Sequence, residues 1–392
     1  MAGPLQGVTV VAIEQAVAGP FATRQLADLG ARVIKIERPD GGDFARGYDT
    51  TVKGLASWFV WLNRTKESVT LDLKRPEAAD VLDRLLRGAD VFLQNLAPGA
   101  VDRLGLSAAA LRSRYPRLIV CNISGYGTTG PYADRKAYDL LIQSEVGLLS
   151  ITGTEDTPSK VGISIADISA GMYAYSGVLA ALLTRARTGD GTVLDVALID
   201  TLGEWMTYAA LYTEHGGTQP PRTGATHATI APYGPFRTHD GALVVAVQSN
   251  REWGQFCAHV LQQPALADDA RFATNALRVH HREALTSAIE AVFLALPLAE
   301  VLRRLEGANL ASANVNSVRE YVQHPQLTHR DCWREVGTPG GPIRALIPPV
   351  RMEGVEPVMG AVPALGQHTR AVLEELAFDG DTIAHWAQSG VI

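Results

Sequence analysis

The side chains best placed to do chemistry are a few carboxylates and a set of cations that follow strand-like runs. Asp167 stands in "ISIADISAGMYAYSGVL" (163–179), where an apolar strand-like run leads into a small-residue helix. An aspartate at such a junction suits a helix N-cap, because its side-chain oxygen accepts a hydrogen bond from an otherwise unpaired backbone N–H. It equally suits a reacting carboxylate at a helix head, and these residues alone leave both readings open. Arg38 follows "VIKIE", Lys74 and Arg75 follow "TLDL", and Asn95 follows "VFLQ". Arg103 lies in "PGAVDRLG", while Lys136, Tyr138 and Asp139 lie in "DRKAYDLL", just before a helix. Each cation alone reads as a solvated surface charge. Gathered on one sheet edge, several could hold a phosphorylated ligand.

The elements that would carry these residues alternate between strand and helix patterns. "GVTVVAI" (7–13), "ARVIKIE" (31–37), "SVTLDL" (68–73), "DVFLQN" (90–95) and "RLIVCNISG" (117–125) read as strands. "FATRQLADLG" (21–30), "PEAADVLDRLLRG" (76–88) and a segment over 168–186 read as helices. Such alternation predicts a mostly parallel sheet covered by helices, with ligands outside the carboxyl ends of the strands. In the 168–186 helix, Ile168, Met172, Tyr175, Leu179, Leu182 and Leu183 fall at helical spacing and are the expected core face. Ala170, Gly171, Ala174 and Gly177 would allow close approach by a strand or ligand.

A Gly/Pro/Thr-rich stretch over 214–236 reads as a linker. The expected layout is a large domain over 1–213, the linker, a smaller α+β domain over 237–336, and a 337–392 segment returning to the first domain. No repeat or low-complexity tract appears.

Several familiar templates are missing. The first turn, "EQAVAGPF", lacks the spaced glycines of a dinucleotide site, and no P-loop, HExxH or paired-cysteine pattern occurs. "GISIA" lacks the second glycine of a nucleophile elbow. No metal is expected. With 46% hydrophobic and 19% charged residues and a net charge of −6, the chain reads as globular, without bulk attraction to nucleic acid or anionic membrane. Three scattered cysteines, no signal-peptide pattern and no apolar run of membrane-spanning length point to the cytoplasm.

Taken in order, "ADLGARVIKIERPDGGD", "WLNRTKESVTLDLK", "VFLQNLAPGAVDRLGL", "ISGYGTTGPYADRKAYD", "ADISAGMYAYSGVLAALLTRARTGDGTVLDVAL" and "LGQHT" resemble the class III CoA-transferases across essentially the whole chain. The resemblance implies a Rossmann-like large domain interrupted by a smaller one, and two chains interlocked as a homodimer. It implies coenzyme A and its thioesters as substrates, with no permanently bound cofactor, and a small carboxylic acid as the other partner. By motif, Asp167 takes the catalytic position and Asp139 that of an assisting acid. Arg38, Leu71, Lys74, Asn95, Arg103 and Lys136 fall where the family contacts CoA, and Val17, Ala18 and Gly19 line the turn near the thioester. Gly234, or the backbone near Asp167, would stabilise oxyanions, and a mobile loop is implied near "APYGPF". Formyl-CoA transferase carries glutamine at the Val17 position and a glycine run in that loop. Both differences argue against formyl or oxalate substrates, and the overall resemblance implies the succinyl-CoA and dicarboxylate branch, with an acid such as succinate, mesaconate, citramalate or itaconate.

The implied chemistry is CoA transfer between carboxylates through mixed anhydrides and an aspartyl-CoA thioester, with the helix N-terminus keeping Asp167 ionised. The same fold hosts α-methylacyl-CoA racemases, which place histidine where this chain has Tyr138. Tyrosine, near pKa 10, is a poor base for an α-proton at neutral pH. A CoA-binding protein without catalysis would keep the cations but has no need of Asp167.

Overall fold

A computed structural model describes residues 3–392. Six strands form a wholly parallel sheet: β1 (Thr9–Ile13), β2 (Arg32–Glu37), β3 (Lys66–Thr70), β4 (Val91–Gln94), β5 (Ile119–Ser124) and β6 (Val193–Ala197). Their order is β3-β2-β1-β4-β5-β6, with Val11 opposite Ile34 on one side and Phe92 on the other. The central strands are continuous apolar runs because helices cover both faces of the sheet, so neither side of a strand meets water. The sheet winds outward in both directions from the gap between β1 and β4, and an open sheet of this kind binds ligands at that reversal.

Five helices position the candidate residues: α1 (Ala18–Asp28), α2 (Ala78–Arg87), α3 (Asp139–Glu145), α4 (Ile165–Thr188) and α5 (Leu198–Trp205). Helix α2 shows why the sequence could be read. Ala78, Val81, Leu82, Leu85 and Leu86 recur at i, i+3, i+4 and bury one stripe against the sheet.

Helix α4 corrects three expectations. The run before Asp167 is not a strand, since Gly162 and Ile163 are exposed bends and the helix begins at Ile165. Its buried face is Ala166, Ser169, Ala170, Gly171, Ala174, Val178 and Ala181, whereas Met172 and Leu183 face outward, Leu183 at 69% exposure. The reason is close packing on α1. A Cβ added at Gly171 would lie 2.8 Å from the carbonyl oxygen of Ala18, so only small residues fit that side. Finally, the 24 residues of α4 are long and apolar enough to cross a membrane by length and composition, contrary to the expectation from apolar runs. Here the helix packs against α1, α5, β5 and β6.

The chain divides into two compact units. The first holds the sheet and comprises the chain up to Val146, Val161–Thr207 and His329–Ile392. Within it, the last segment lies along β3: Ser68 N–H donates to His368 Nδ1 (3.1 Å) and Thr70 N–H to Thr369 Oγ1 (2.8 Å). The second unit, Gly147–Lys160 with Tyr208–Thr328, carries an antiparallel sheet of β7 (Tyr233–Arg237), β8 (Ala242–Ala246) and β9 (Ala311–Asn314). Phe236, Trp253, Phe256 and Phe293 build its core.

These boundaries differ from those expected. The stretch 214–236 is not all linker, because a helix runs to Gly216 and β7 begins at Tyr233. Residues 147–160 join the second unit, and 329–336 belong to the first. The "APYGPF" segment is likewise not a loop, since Tyr233–Phe236 pair residue by residue with Leu243–Ala246.

Candidate active site

Asp167 lies in the first turn of α4, but it is not the cap. Ser164 occupies the N-cap position and makes no side-chain cap bond. The capping carboxylate comes from α3: Asp139 Oδ1 accepts the backbone N–H of Ala166 at 2.8 Å and of Asp167 at 3.4 Å. The other oxygen of Asp139 accepts from the side chain of Gln143 at 2.7 Å, and the carbonyl of the buried Gln143 accepts from Val161 N–H at 3.0 Å. The donors at the helix head are thus taken by Asp139, which leaves the Asp167 carboxylate beside a second carboxylate.

That arrangement overturns the expected ionisation. Burial first, and then the charge of Asp139, push the Asp167 carboxyl up from its ordinary value to about 7. The dipole of the helix does not prevail, because a nearby negative charge and the loss of water both oppose the ionised form. An acid of this kind is close to half ionised at neutral pH. Its carboxylate is also more basic than an ordinary aspartate, which favours nucleophilic attack over departure.

Near it stands Tyr48, which sequence reasoning missed. Burial, then Asp43, Asp167 and Tyr138, push its phenol up to about 12, so it remains a hydroxyl donor at neutral pH. Tyr138 itself is 66% exposed. Its backbone is the extended N-cap of α3, which delivers Asp139 to the head of α4.

Four of the expected cations come after sheet strands along the chain. Arg38 follows β2, Lys74 lies four residues after β3, Arg103 ends a short helix after β4, and Lys136 lies in the loop after β5; all four are exposed. The β5 loop folds back tightly, since a Cβ at Gly125 would collide with Ala137. Leu71 is different: its side chain is buried in the core, and only its backbone remains near the edge.

Asn95 and the turn after β1 meet at the reversal of the sheet. Asn95 Oδ1 accepts Gln15 N–H at 2.8 Å, and Asn95 Nδ2 donates to the Gln15 carbonyl at 2.8 Å. Val17 and Ala18 follow, both buried, and Gly19 sits against Glu14 and Asn95. Beneath this turn is a buried ionic group that no sequence pattern announced. Lys35 Nζ donates to Asp43 Oδ2 at 2.8 Å, and Lys66 Nζ to Glu14 Oε1 at 2.7 Å, with all four side chains fully buried. The only local sign was two lysines inside strand-forming runs. Gly234 lies in the second unit, in β7, packed on Thr226.

Comparison with known proteins identifies the family. The family model "CoA-transferase family III" matches residues 5–369. Succinyl-CoA:glutarate CoA-transferase of Mus musculus is 35% identical over 398 residues, covering 99% of this chain and 90% of the relative. Succinyl-CoA:mesaconate CoA-transferase of Haloarcula marismortui is 31% identical, covering 97% and 98%. A crystal structure of a CAIB/BAIF family protein from Brucella suis superposes with a TM-score of 0.84 at 34% identity, covering 96% of this chain and all of that one. The family model and relatives of this similarity, matched over nearly the whole chain, carry the conclusion: the chain is an enzyme belonging to CoA-transferase family III.

Proposed function

We propose that this protein moves CoA from succinyl-CoA to a second small dicarboxylate, with Asp167 as the covalent nucleophile. The observation that carries the reading is Asp167 itself, a carboxylate on the first turn of α4, made basic by burial and by Asp139. The substrate class is supported by similar proteins whose names specify succinyl-CoA with glutarate, mesaconate or D-citramalate.

Ionised Asp167 attacks the thioester carbonyl. The C–S bond breaks, its electron pair leaves on the CoA thiolate, and succinyl-aspartyl anhydride remains. The thiolate then attacks the aspartyl carbonyl, forming aspartyl-CoA thioester and releasing succinate. The incoming carboxylate attacks that thioester, giving a new anhydride and thiolate, and the thiolate takes the acyl group and frees Asp167. No net proton is consumed. Tyr48 is a hydroxyl donor for the oxyanions, and Arg38, Lys74, Arg103 and Lys136 bind the CoA phosphates. Val17 and Ala18 border the thioester.

Self-association belongs to the same proposal. Met172, Tyr173 and Leu183 on α4, with Trp205 on α5, leave large apolar side chains exposed, as a homodimer would require. Its test is the mass of the protein in solution.

The function is tested by incubating the protein with succinyl-CoA and a panel of dicarboxylates, following CoA esters by mass spectrometry and trapping Asp167 with hydroxylamine. A new acyl-CoA and a hydroxamate on Asp167 are expected. Transfer without modification of Asp167, or full activity in Asp167→Ala, would overturn the mechanism. Solvent deuterium entering the α-carbon of an acyl-CoA without any acceptor would identify an epimerase instead.

A further inference from the structure

The turn between β1 and α1 is held by four side chains from other parts of the chain. Ala16 has φ 61°, a left-handed conformation that a residue with a Cβ seldom adopts unaided. On one side of it, Asn95 uses both halves of its amide on the backbone of Gln15. On the other, Asp43 Oδ1 accepts the N–H of Ala16 at 3.0 Å, and the same oxygen accepts Ala45 N–H at 2.9 Å. Asp43 is itself fixed by Lys35, whose Nζ also donates to the Glu14 carbonyl at 3.3 Å. Lys66 adds a bond to the Pro20 carbonyl at 3.0 Å, tying down the first turn of α1. Backbone groups of residues 14, 15, 16 and 20 are therefore each held by a side chain from β2, β3, or the loop after β2 or β4.

This turn adjoins the candidate nucleophile. The carbonyl of Ala18 lies 2.8 Å from where a Gly171 Cβ would be, and Gly171 is one helical turn beyond Asp167. A shift of the turn would move Val17 and Ala18 against the head of α4. Displacements of about 1 Å in such a place can cost on the order of a hundredfold in rate.

We infer that Asn95 and Asp43 are positioning residues, which lock the Gln15–Val17 turn in its left-handed form against α4, and that Asn95 serves the reaction through this turn. The inference rests on the CoA-transferase reading for its link to catalysis and adds to it a role for Asn95. The two bonds to Gln15 fix the orientation of the Asn95 amide and leave only its second N–H and the second lone pair of its oxygen for any other partner.

The test compares wild type with Asn95→Ala and with the isosteric Asn95→Asp, which keeps the acceptor for Gln15 N–H but puts an oxygen against the Gln15 carbonyl. The dissociation constant for CoA is measured by titration calorimetry, kcat by transfer from succinyl-CoA, and protection of the Gln15 and Ala16 amides by hydrogen exchange. In both variants kcat is expected to fall at least about tenfold while CoA affinity stays within about twofold, with at least about tenfold faster exchange at the two amides. If Asn95→Ala does not fold, Asn95→Asp carries the comparison. Loss of CoA affinity with kcat retained would make Asn95 a CoA ligand and overturn the inference, as would an unchanged kcat with unchanged amide protection. A wild type that transfers no CoA would refute the function instead. The exchange data would then decide the clamp alone, with unaltered protection counting against it.

Discussion

Two carboxylates in the same unit are treated in opposite ways. Glu37, at the end of β2, is fully buried, and burial alone would raise its pKa. Hydrogen bonds from Arg46, at 2.7 and 2.8 Å, and the charge of Lys35 nevertheless draw it down to about 2. Asp167 has burial without a cation, and Asp139 as its charged neighbour, so it rises to about 7. The difference is the company each acid keeps. Where the fold needs a fixed charge it surrounds a carboxylate with cations. Where the chemistry needs a reactive one, it supplies a second carboxylate.

The contrast can be broken most severely at Asp167. Asp167→Asn should reduce transfer by at least about a thousandfold, measured as acyl-CoA product per enzyme, because an amide cannot form the covalent intermediate. The same variant should change stability with a sign opposite to that of Glu37. The native Asp167 carboxyl holds its proton from about pH 4 to about 7, so its contribution is present at low pH and lost as pH rises through about 7. Glu37 contributes above its ordinary value of 4.5, and that contribution is lost as pH falls toward about 2. Thermal melts should therefore show Asp167→Asn gaining on wild type on passing from about pH 5 to about pH 8.

On the cation side, Lys35→Met should lower stability by about 3–5 kcal/mol in denaturant titrations, since it leaves Asp43 buried without its partner. A smaller effect sharpens the carboxylate side. Asp139→Asn keeps an oxygen for capping α4 but removes the charge, so the acidic limb of the kcat–pH profile should move to lower pH. The smallest concerns a partly exposed pair: Glu375→Gln, opposite Arg32, should cost less than about 1 kcal/mol in the same titrations.

Much of the first unit was legible because its signals are local. Strands such as "VFLQ" and the stripe of α2 reveal themselves within a dozen residues, and Asp167 stood out within its own motif. What could not be read depends on distant partners. The cap of α4 comes from Asp139, 27 residues before Ala166, and the clamp on Gln15 from Asn95, 80 residues later. The inward face of α4 was misjudged for a related reason: hydrophobic spacing marks large side chains, while contact with α1 selects small ones. Tyr48 and Asp43 lie in a polar loop whose residue types look like those of any surface connection. Only the fold brings them against the sheet edge.

The segment running over β3 has a consequence for solubility. β3 is the outermost strand on its side of the six-stranded sheet, and an outer strand offers unpaired N–H groups to any extended chain that meets it. The Ser68 and Thr70 N–H groups are already occupied, by an imidazole nitrogen and a hydroxyl, neither of which can propagate a ladder. Residues 366–369 therefore seal a surface on which a second chain could be templated, and proteolysis ahead of them would open it to aggregation.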